Sequence, residues 1–241
     1  MNDLTSLGIV AALKPEARTL ANRPIPIRLT VKLKDNTLLK VSGLGAQRAH
    51  SAALSLLAEG ASALLSWGVA GGLAANLFSG NLILPKTIIS PDQSVFRVDS
   101  HWHERLCLFL RGYQDFHTGT LAESPTVLTS AAEKSAFLEQ YDAVAVDMES
   151  SAIARVASDA QVPFLAIRAV ADPVQMIIPR TALDASDEYG RAQPLELLYG
   201  LVRNPAELIL LIRLRRHFRN ALRTLAAVER LAGDSLFGLL S

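Results

Sequence analysis

Residues able to do chemistry crowd into one stretch, Ala143 to Asp172, which reads AVAVDMESSAIARVASDAQVPFLAIRAVAD. An apolar run, Ala143 to Val146, stops at Asp147, Met148 and Glu149, and a helical pattern follows. A second apolar run, Val162 to Val170, carries Arg168 inside it and ends at Asp172. Read as two adjacent strands, these runs bring a carboxylate cluster, an arginine and a lone aspartate to one rim of a sheet. That rim, beyond the carboxyl ends of the strands, is where open α/β sheets bind ligands. Each residue also has a plainer reading. Asp147 and Glu149 suit the positive N-terminus of the next helix, worth about 0.3–1 kcal/mol each; Arg168 could stand on an edge strand, and Asp172 before Pro173 could form a turn. Arg168 tips the balance. Its run is too apolar for a solvent-facing strand, and a buried charge without a partner costs several kcal/mol. It therefore needs a carboxylate, and the nearest candidates share its rim.

Other elements must position this set. Leu7 to Leu13 reads as a buried strand, followed by Lys14, Pro15 and Glu16 and a helical stretch from about Ala17. Thr30–Leu33 and Leu38–Val41 read as a hairpin turned at Asp35-Asn36. The second strand stops at Ser42-Gly43-Leu44-Gly45, and an alanine-rich helix follows from about Gln47 to Ala58. Ala63–Trp67 is a short buried strand that ends in Gly68-Val69-Ala70-Gly71-Gly72, and Leu82–Leu84 and Thr87–Ile89 are strand-like runs around Pro85. Alternation of this kind indicates an α/β fold with a largely parallel sheet. Neither glycine stretch is a dinucleotide or P-loop fingerprint. Glycine at a strand end lets backbone approach a ligand and opens N–H groups to anions; it also serves a tight turn that packs a helix on the sheet. Both stretches fall at strand ends on the carboxylates' rim.

Composition narrows the function classes. The 241 residues are 50% hydrophobic and 20% charged, a globular balance with room for a substantial core. A formal net charge of +1 gives no nucleic-acid footprint. The single cysteine, Cys107, excludes an intramolecular disulfide and a cysteine zinc site, and its setting LCLFL is that of a buried thiol. The start MNDLTSLGIVAAL lacks the basic beginning of a signal peptide, and no apolar run approaches the roughly 20 residues of a bilayer span. A cytoplasmic protein is expected. From Pro194 to Gly233 the pattern is almost all helical, broken near Asn204-Pro205, which divides the chain into a catalytic part, 1–193, and a helical extension of the same domain, 194–241. The last helix carries Arg213, Arg215, Arg216, Arg219, Arg223 and Arg230 beside Leu208, Ile209, Leu211, Ile212, Leu214, Phe218 and Leu222. A basic amphipathic helix of this kind either lies on an anionic membrane surface or covers the domain with a solvated arginine face.

Taken in order, GIVAALKPEA, SGLGAQRA, SWGVAGGL, AVDMESSAIARVA and LAIRAVADP resemble the nucleoside phosphorylase/nucleosidase superfamily, which includes purine nucleoside phosphorylases and methylthioadenosine/S-adenosylhomocysteine nucleosidases. The resemblance spans roughly Leu7 to Asp172. The segment PRTALDASDEYGRAQPLELLYGLVRNP and the basic C-terminus look, more narrowly, like the hopanoid-associated phosphorylases, which are assigned to removing adenine from adenosylhopane. The resemblance implies a single three-layer α/β/α domain with a mixed, largely parallel twisted sheet and a C-terminal helical extension. It implies no cofactor and no metal, with water or inorganic phosphate as cosubstrate, a small nucleoside as ligand, and a homo-oligomer, for which the apolar run Leu73 to Phe78 is one candidate surface.

The resemblance also implies roles. An N-glycosidic bond breaks through an oxocarbenium-like ribosyl cation, so it needs an acid for the base, holders for the sugar and a nucleophile on the opposite face. Asp172 matches the aspartate that hands a proton to purine N7; a general acid contributes about 10²–10⁴-fold. Glu149 matches the glutamate that holds the ribose hydroxyls, with Met148 against the sugar face. Glu16 matches the glutamate that activates water, and Arg168 would orient that carboxylate or the nucleophile. Asp147 stands where the nucleosidases usually have glutamate and reads as an organiser. Gly45, Gly68, Val69, Ala70 and Gly71 would line the site, and Val127, within Pro125–Leu128, would lie beside the base. Val69 replaces a usual serine and no arginine adjoins its loop, which leaves Arg48 and Arg168 as the candidate phosphate ligands. Hydrolysis is therefore expected over phosphorolysis. The alternative outside enzymology is a silent membrane-surface binding protein on the same fold; it should have lost one of Asp172, Glu149, Glu16 and Arg168, and all four are present.

Overall fold

The structure, a computed structural model, describes residues 6–238 except 22, 24, 28, 34–35, 113–114, 180, 183–186, 188, 190–203 and 206. The elements follow in chain order as β1 (Leu7–Ala11), α1 (Lys14–Ala17), β2 (Thr30–Lys32), β3 (Thr37–Val41), α2 (Ala46–Ala58), β4 (Ala63–Gly72), β5 (Leu82–Ile83) and β6 (Thr87–Ile89). There follow β7 (Val95–Arg97), α3 (Ser100–Leu110), β8 (Phe116–His117), β9 (Thr120–Glu123), α4 (Ala131–Tyr141), β10 (Ala145–Asp147), α5 (Ser150–Asp159), β11 (Phe164–Asp172) and α6 (Glu207–Gly238).

One mixed, mostly parallel sheet is organised around β4. The run LGIVA of β1 and nearly all of β4 and β11 are buried, the continuous apolar pattern of strands covered on both faces. Residues Ala63–Trp67 of β4 pair in parallel with β1, which pairs in turn with β3 and, through it, β2. The other edge of β4 is taken by β11, parallel from Leu64 to Gly71. Beyond Trp67 the β1 edge passes to β10, which runs antiparallel and pairs Val146 with Gly71 and Ala145 with Gly72. The sheet continues from β10 through β9 and β6 to β7, while β11 leads to β5 and β8.

Helices complete the layers. Ala49, Ala52, Ala53 and Leu56 of α2 are buried at helical spacing, and α2 packs on β1 and α5. Gly8 permits that approach, since a Cβ there would lie 3.0 Å from Ala61 Cβ and 3.1 Å from Leu56 Cβ. In α6, Ala221, Leu225, Val228 and Ala232 are buried, and the helix packs on β11 and α3.

Several sequence expectations change here. The strands ending at Asp147 and Asp172 are not adjacent; they flank β4 on opposite edges. The glycine run after Trp67 is no loop, because pairing with β10 and β11 extends β4 to Gly72. The helix expected from Ala17 instead spans Lys14–Ala17, with Pro15 supplying a first-turn residue that needs no N–H partner, and so it includes Glu16. The hairpin forms as β2 and β3, with Asn36 at φ +56°; Asp35 lies outside the described residues. The interruption at Asn204-Pro205 precedes α6, whereas the 193/194 boundary and most of the segment from Pro179 to Pro205 lie outside the described residues. The run Leu73 to Phe78 offers little surface, as Leu73 and Leu77 are buried and Phe78 alone among its large apolar residues stands out.

Candidate active site

Along one edge of β4, β1 and β10 end facing each other, and neither pairs with Gly68–Ala70. A cavity of about 150 Å³ opens there. Its walls are Ala12, Leu13, Glu16, Leu44, Val69–Gly71, Thr126–Leu128, Val146–Glu149, Asp172 and Ile178. Sequence-expected Glu16, Val69, Ala70, Gly71, Val127, Asp147, Met148, Glu149 and Asp172 all line it.

Glu16 reaches this gap from α1. Its Oε1 accepts the Val69 N–H at 2.9 Å and its Oε2 accepts the Leu13 N–H at 2.7 Å. The turn behind it is pinned by Thr19, whose hydroxyl donates to the Glu16 carbonyl and accepts from the Trp67 indole. Gly68 is required by proximity, because a Cβ would stand 2.7 Å from Glu16 Oε1. Burial pushes the Glu16 carboxyl above the usual range, against the pull of the two N–H groups and Arg168.

Arg168 was expected to orient Glu16 or the nucleophile; it makes no hydrogen bond or ion pair with Glu16. Its Nε donates to Asp147 Oδ2 at 2.8 Å, with Nη2 2.7 Å from the same oxygen. Nη2 also donates to Ser66 Oγ at 2.6 Å and Ser150 Oγ at 2.8 Å, and Nη1 to the Ile167 carbonyl. The physical reason lies in the strands. Arg168 sits mid-strand beside Gly68, and Asp147 ends β10 above that point with the Ser150 hydroxyl donating to it at 2.6 Å. Asp147 is thus the internal partner of the one arginine that is buried among the described residues.

Glu149 follows from the opposite half of the sheet. Its Oε1 accepts the Gly45 N–H at 2.8 Å, and Gly45 adopts φ +98°, a conformation that favours glycine. Burial, then the charge of Asp147, pushes Glu149 up to about 8. Glu123 of β9, also buried, accepts the N–H groups of Ser151 and Ala152 at the start of α5, and burial raises it too. Of the two readings of the glycine stretches, N–H groups open to an anion or a tight turn, the first does not apply to the N–H groups of Val69 and Gly45, which carboxylates occupy.

Asp172 lies at the end of β11 beside Gly71 and is 15% exposed, towards the cavity. Its Oδ2 is 2.7 Å from Nζ of Lys134, a fully buried lysine of α4. Burial raises the Asp172 carboxyl and Lys134 opposes that rise. Arg48 falls outside the cavity; it is exposed in the first turn of α2 and lines a separate cleft with Lys40 and Ser51. Among the described residues, no group of three or more His, Cys, Asp and Glu could hold a metal ion.

Sequence reasoning passed over Lys134, Glu123, Ser66 and Ser150. The S-x-x-E pattern Ser130–Glu133 marks the start of α4, where the capping box forms. Nothing in AAEKSAFLEQY distinguishes Lys134 from a solvated helix lysine.

A family model described as the phosphorylase superfamily matches residues 7–203. The chain belongs to the phosphorylase superfamily. Solved structures with this superfamily fold include futalosine hydrolase of Helicobacter pylori, at TM-score 0.74 and 16% identity over 98% of this chain and 100% of that one. A mutant of the Helicobacter pylori methylthioadenosine nucleosidase holding 5′-methylthioadenosine in its active site matches at TM-score 0.71 and 15% identity, covering 96% of this chain and 99% of that one. The Neisseria meningitidis methylthioadenosine/S-adenosylhomocysteine nucleosidase in complex with methylthio-immucillin-A matches at 0.66 and 17%, covering 93% and 98%. No curated protein sequence matches. At these identities the solved structures establish the superfamily fold, and the side-chain geometry must speak for the chemistry.

Proposed function

We propose that this protein hydrolyses the N-glycosidic bond of a purine nucleoside. Glu16 holds and deprotonates the attacking water, Glu149 accepts the ribose hydroxyls, Met148 packs on the sugar and Asp172 gives a proton to purine N7. Val127 and its neighbours flank the base. The carboxylates on the cavity wall also suit a transition state with positive charge on the sugar.

One observation carries the choice of water over phosphate. Four anion-holding groups described above already serve carboxylates: Val69 N–H serves Glu16, Gly45 N–H serves Glu149, Arg168 serves Asp147 and Lys134 serves Asp172. With those donors taken, a phosphate dianion would enter a site lined by four carboxyl groups. The names of the matched folds, a nucleosidase and a hydrolase, point the same way.

The substrate we favour is adenosylhopane or another adenosine with a large apolar 5′ substituent, met at the inner face of the membrane. No helix of the described residues is long and apolar enough to cross a membrane. The first turns of α6, however, expose Leu208, Ile209 and Ile212, and Phe78 and Ile177 stand out beside them. A groove of about 470 Å³ runs among Phe78, Ile177, Leu210, Arg213 and Arg216. Apolar side chains rimmed by arginines fit an anionic lipid surface. A homo-oligomer is part of the same proposal, by resemblance alone.

Incubation with adenosine, 5′-methylthioadenosine and adenosylhopane, each with and without phosphate, tests this reading through released adenine and the sugar product. Free ribosyl product and no stimulation by phosphate are expected. Ribose 1-phosphate as main product would overturn hydrolysis, and no adenine from any substrate would leave the silent binding protein.

A further inference from the structure

Lys134 is the one buried residue of α4, and it is completely shielded from solvent. Two of its ammonium protons go to the carbonyl oxygens of Asp172 and Pro173, each at 3.0 Å, and the third goes to Asp172 Oδ2. Each of the three protons has an acceptor. A clamp on two carbonyls needs no charge, and a shielded ammonium is costly unless paired. The pairing falls on the one cavity carboxylate that reads as the proton donor.

We propose that Lys134 is a positioning residue for Asp172, fixing its carboxyl and setting its acidity so that the two side chains act as one proton-donating unit. The proposal rests on the reading of Asp172 as the acid. As the C1′–N9 bond breaks, its electron pair goes to the base, and purine N7 takes the Asp172 proton. Water oxygen bonds to C1′ and its proton goes to Glu16; exchange with solvent then resets both carboxyls. The carboxylate left on Asp172 meets the Lys134 ammonium 2.7 Å away, so charge created by the transfer is balanced in place. Holding Oδ2 leaves Oδ1 outside the pair with Lys134. The other charged groups facing Asp172 are His217, from α6, and the cavity acids Glu16, Asp147 and Glu149. None of these is within an ion-pair distance of it among the described residues.

The test compares 5′-methylthioadenosine, whose base leaves protonated, with p-nitrophenyl β-D-ribofuranoside, whose phenolate needs no proton. Lys134→Met should move the alkaline limb of the purine pH–rate profile upward by about 1–3 units, since the cation no longer favours ionised Asp172. The weakened acid should also lower the ratio of purine to nitrophenyl turnover by about 10-fold or more. Lys134→Arg should restore both. Lys134→Gln keeps donors for the two carbonyls without the charge, and it replaces the methionine variant if that one does not fold. Equal losses on both substrates with an unmoved limb would make Lys134 a backbone clamp and overturn the proposal. Failure of the underlying reading looks different: wild-type protein would not cleave the purine substrate, or Asp172→Asn would show no preference for the nitrophenyl riboside.

Discussion

Replacing Arg168 with methionine removes the cation of the buried network and leaves its shape roughly filled. Arg168 and Asp147 are almost wholly shielded, and the guanidinium also serves Ser66, Ser150 and the Ile167 carbonyl. Breaking such a pair strands a charge and costs about 3–5 kcal/mol. For a chain of this size 1 kcal/mol moves the midpoint by about 2–4 °C, so Arg168→Met should unfold about 6–20 °C lower. Thermal unfolding at pH 7, followed by near-ultraviolet circular dichroism or calorimetry, measures the difference. Removing the stranded acid as well, in Arg168→Met with Asp147→Leu, should recover a large part of it, because an apolar pair of similar volume needs no partner. A fall below about 3 °C, or a double variant as unstable as the two single losses added, would refute the claim that the unpaired carboxylate carries the cost.

Further outcomes follow from the site. Asp172→Asn should keep the fold and its contact with Lys134 yet lower purine cleavage by about 10²-fold or more, read as adenine release. Glu149 titrates higher in the folded protein than its ordinary 4.5, so its contribution to stability is present below pH 4.5 and lost as pH rises towards about 8. Glu149→Gln should therefore gain melting temperature over wild type at pH 8 and much less at pH 5; an equal gain at both would contradict the buried, raised carboxyl. Gly68→Ala puts a methyl 2.7 Å from Glu16 Oε1, and a displaced base of this kind loses about 10²-fold in kcat with little loss of melting temperature. Replacing Arg215, Arg216 and Arg219 with glutamine should weaken sedimentation with anionic vesicles by about 1 kcal/mol per residue and spare cleavage of a small nucleoside; wild-type protein that ignores such vesicles would end the membrane reading.

The sequence displayed strand content and chemical groups better than it displayed neighbours. Apolar runs revealed β1, β4 and β11 because buried strands need unbroken apolar sequence. It could not show that β10 runs antiparallel on the edge that β1 vacates, since Ala145–Asp147 offers three residues and no period. The same gap hid where Arg168 points: its need for a carboxylate was legible, but the choice of Asp147 over Glu16 depends on which strands flank Gly68. Lys134 was invisible for a further reason. Burial of a single residue on an otherwise solvated helix leaves no pattern in composition. The apolar and basic residues of α6 were plain, and the structure divides their roles along the helix. Ala221, Leu225, Val228 and Ala232 cover the sheet, and Leu208, Ile209 and Ile212 face outward.

The passing of one edge of β4 from β1 to β10 has a mechanical consequence. Besides the branch β11-β5-β8, the sheet has two wings, β2-β3-β1 and β10-β9-β6-β7, joined through β4. Glu16 belongs to the first wing, and Asp147 and Glu149 to the second. Widening or narrowing the cavity would bend β4 at Gly68–Gly72, a stretch that β11 braces by pairing with β4 as far as Gly71. The Gly45–Glu149 hydrogen bond spans the wings and resists that bend. A ligand that draws Glu149 away from Gly45 would remove that brace and leave the pairing of β4 with β11 to hold the two wings in place.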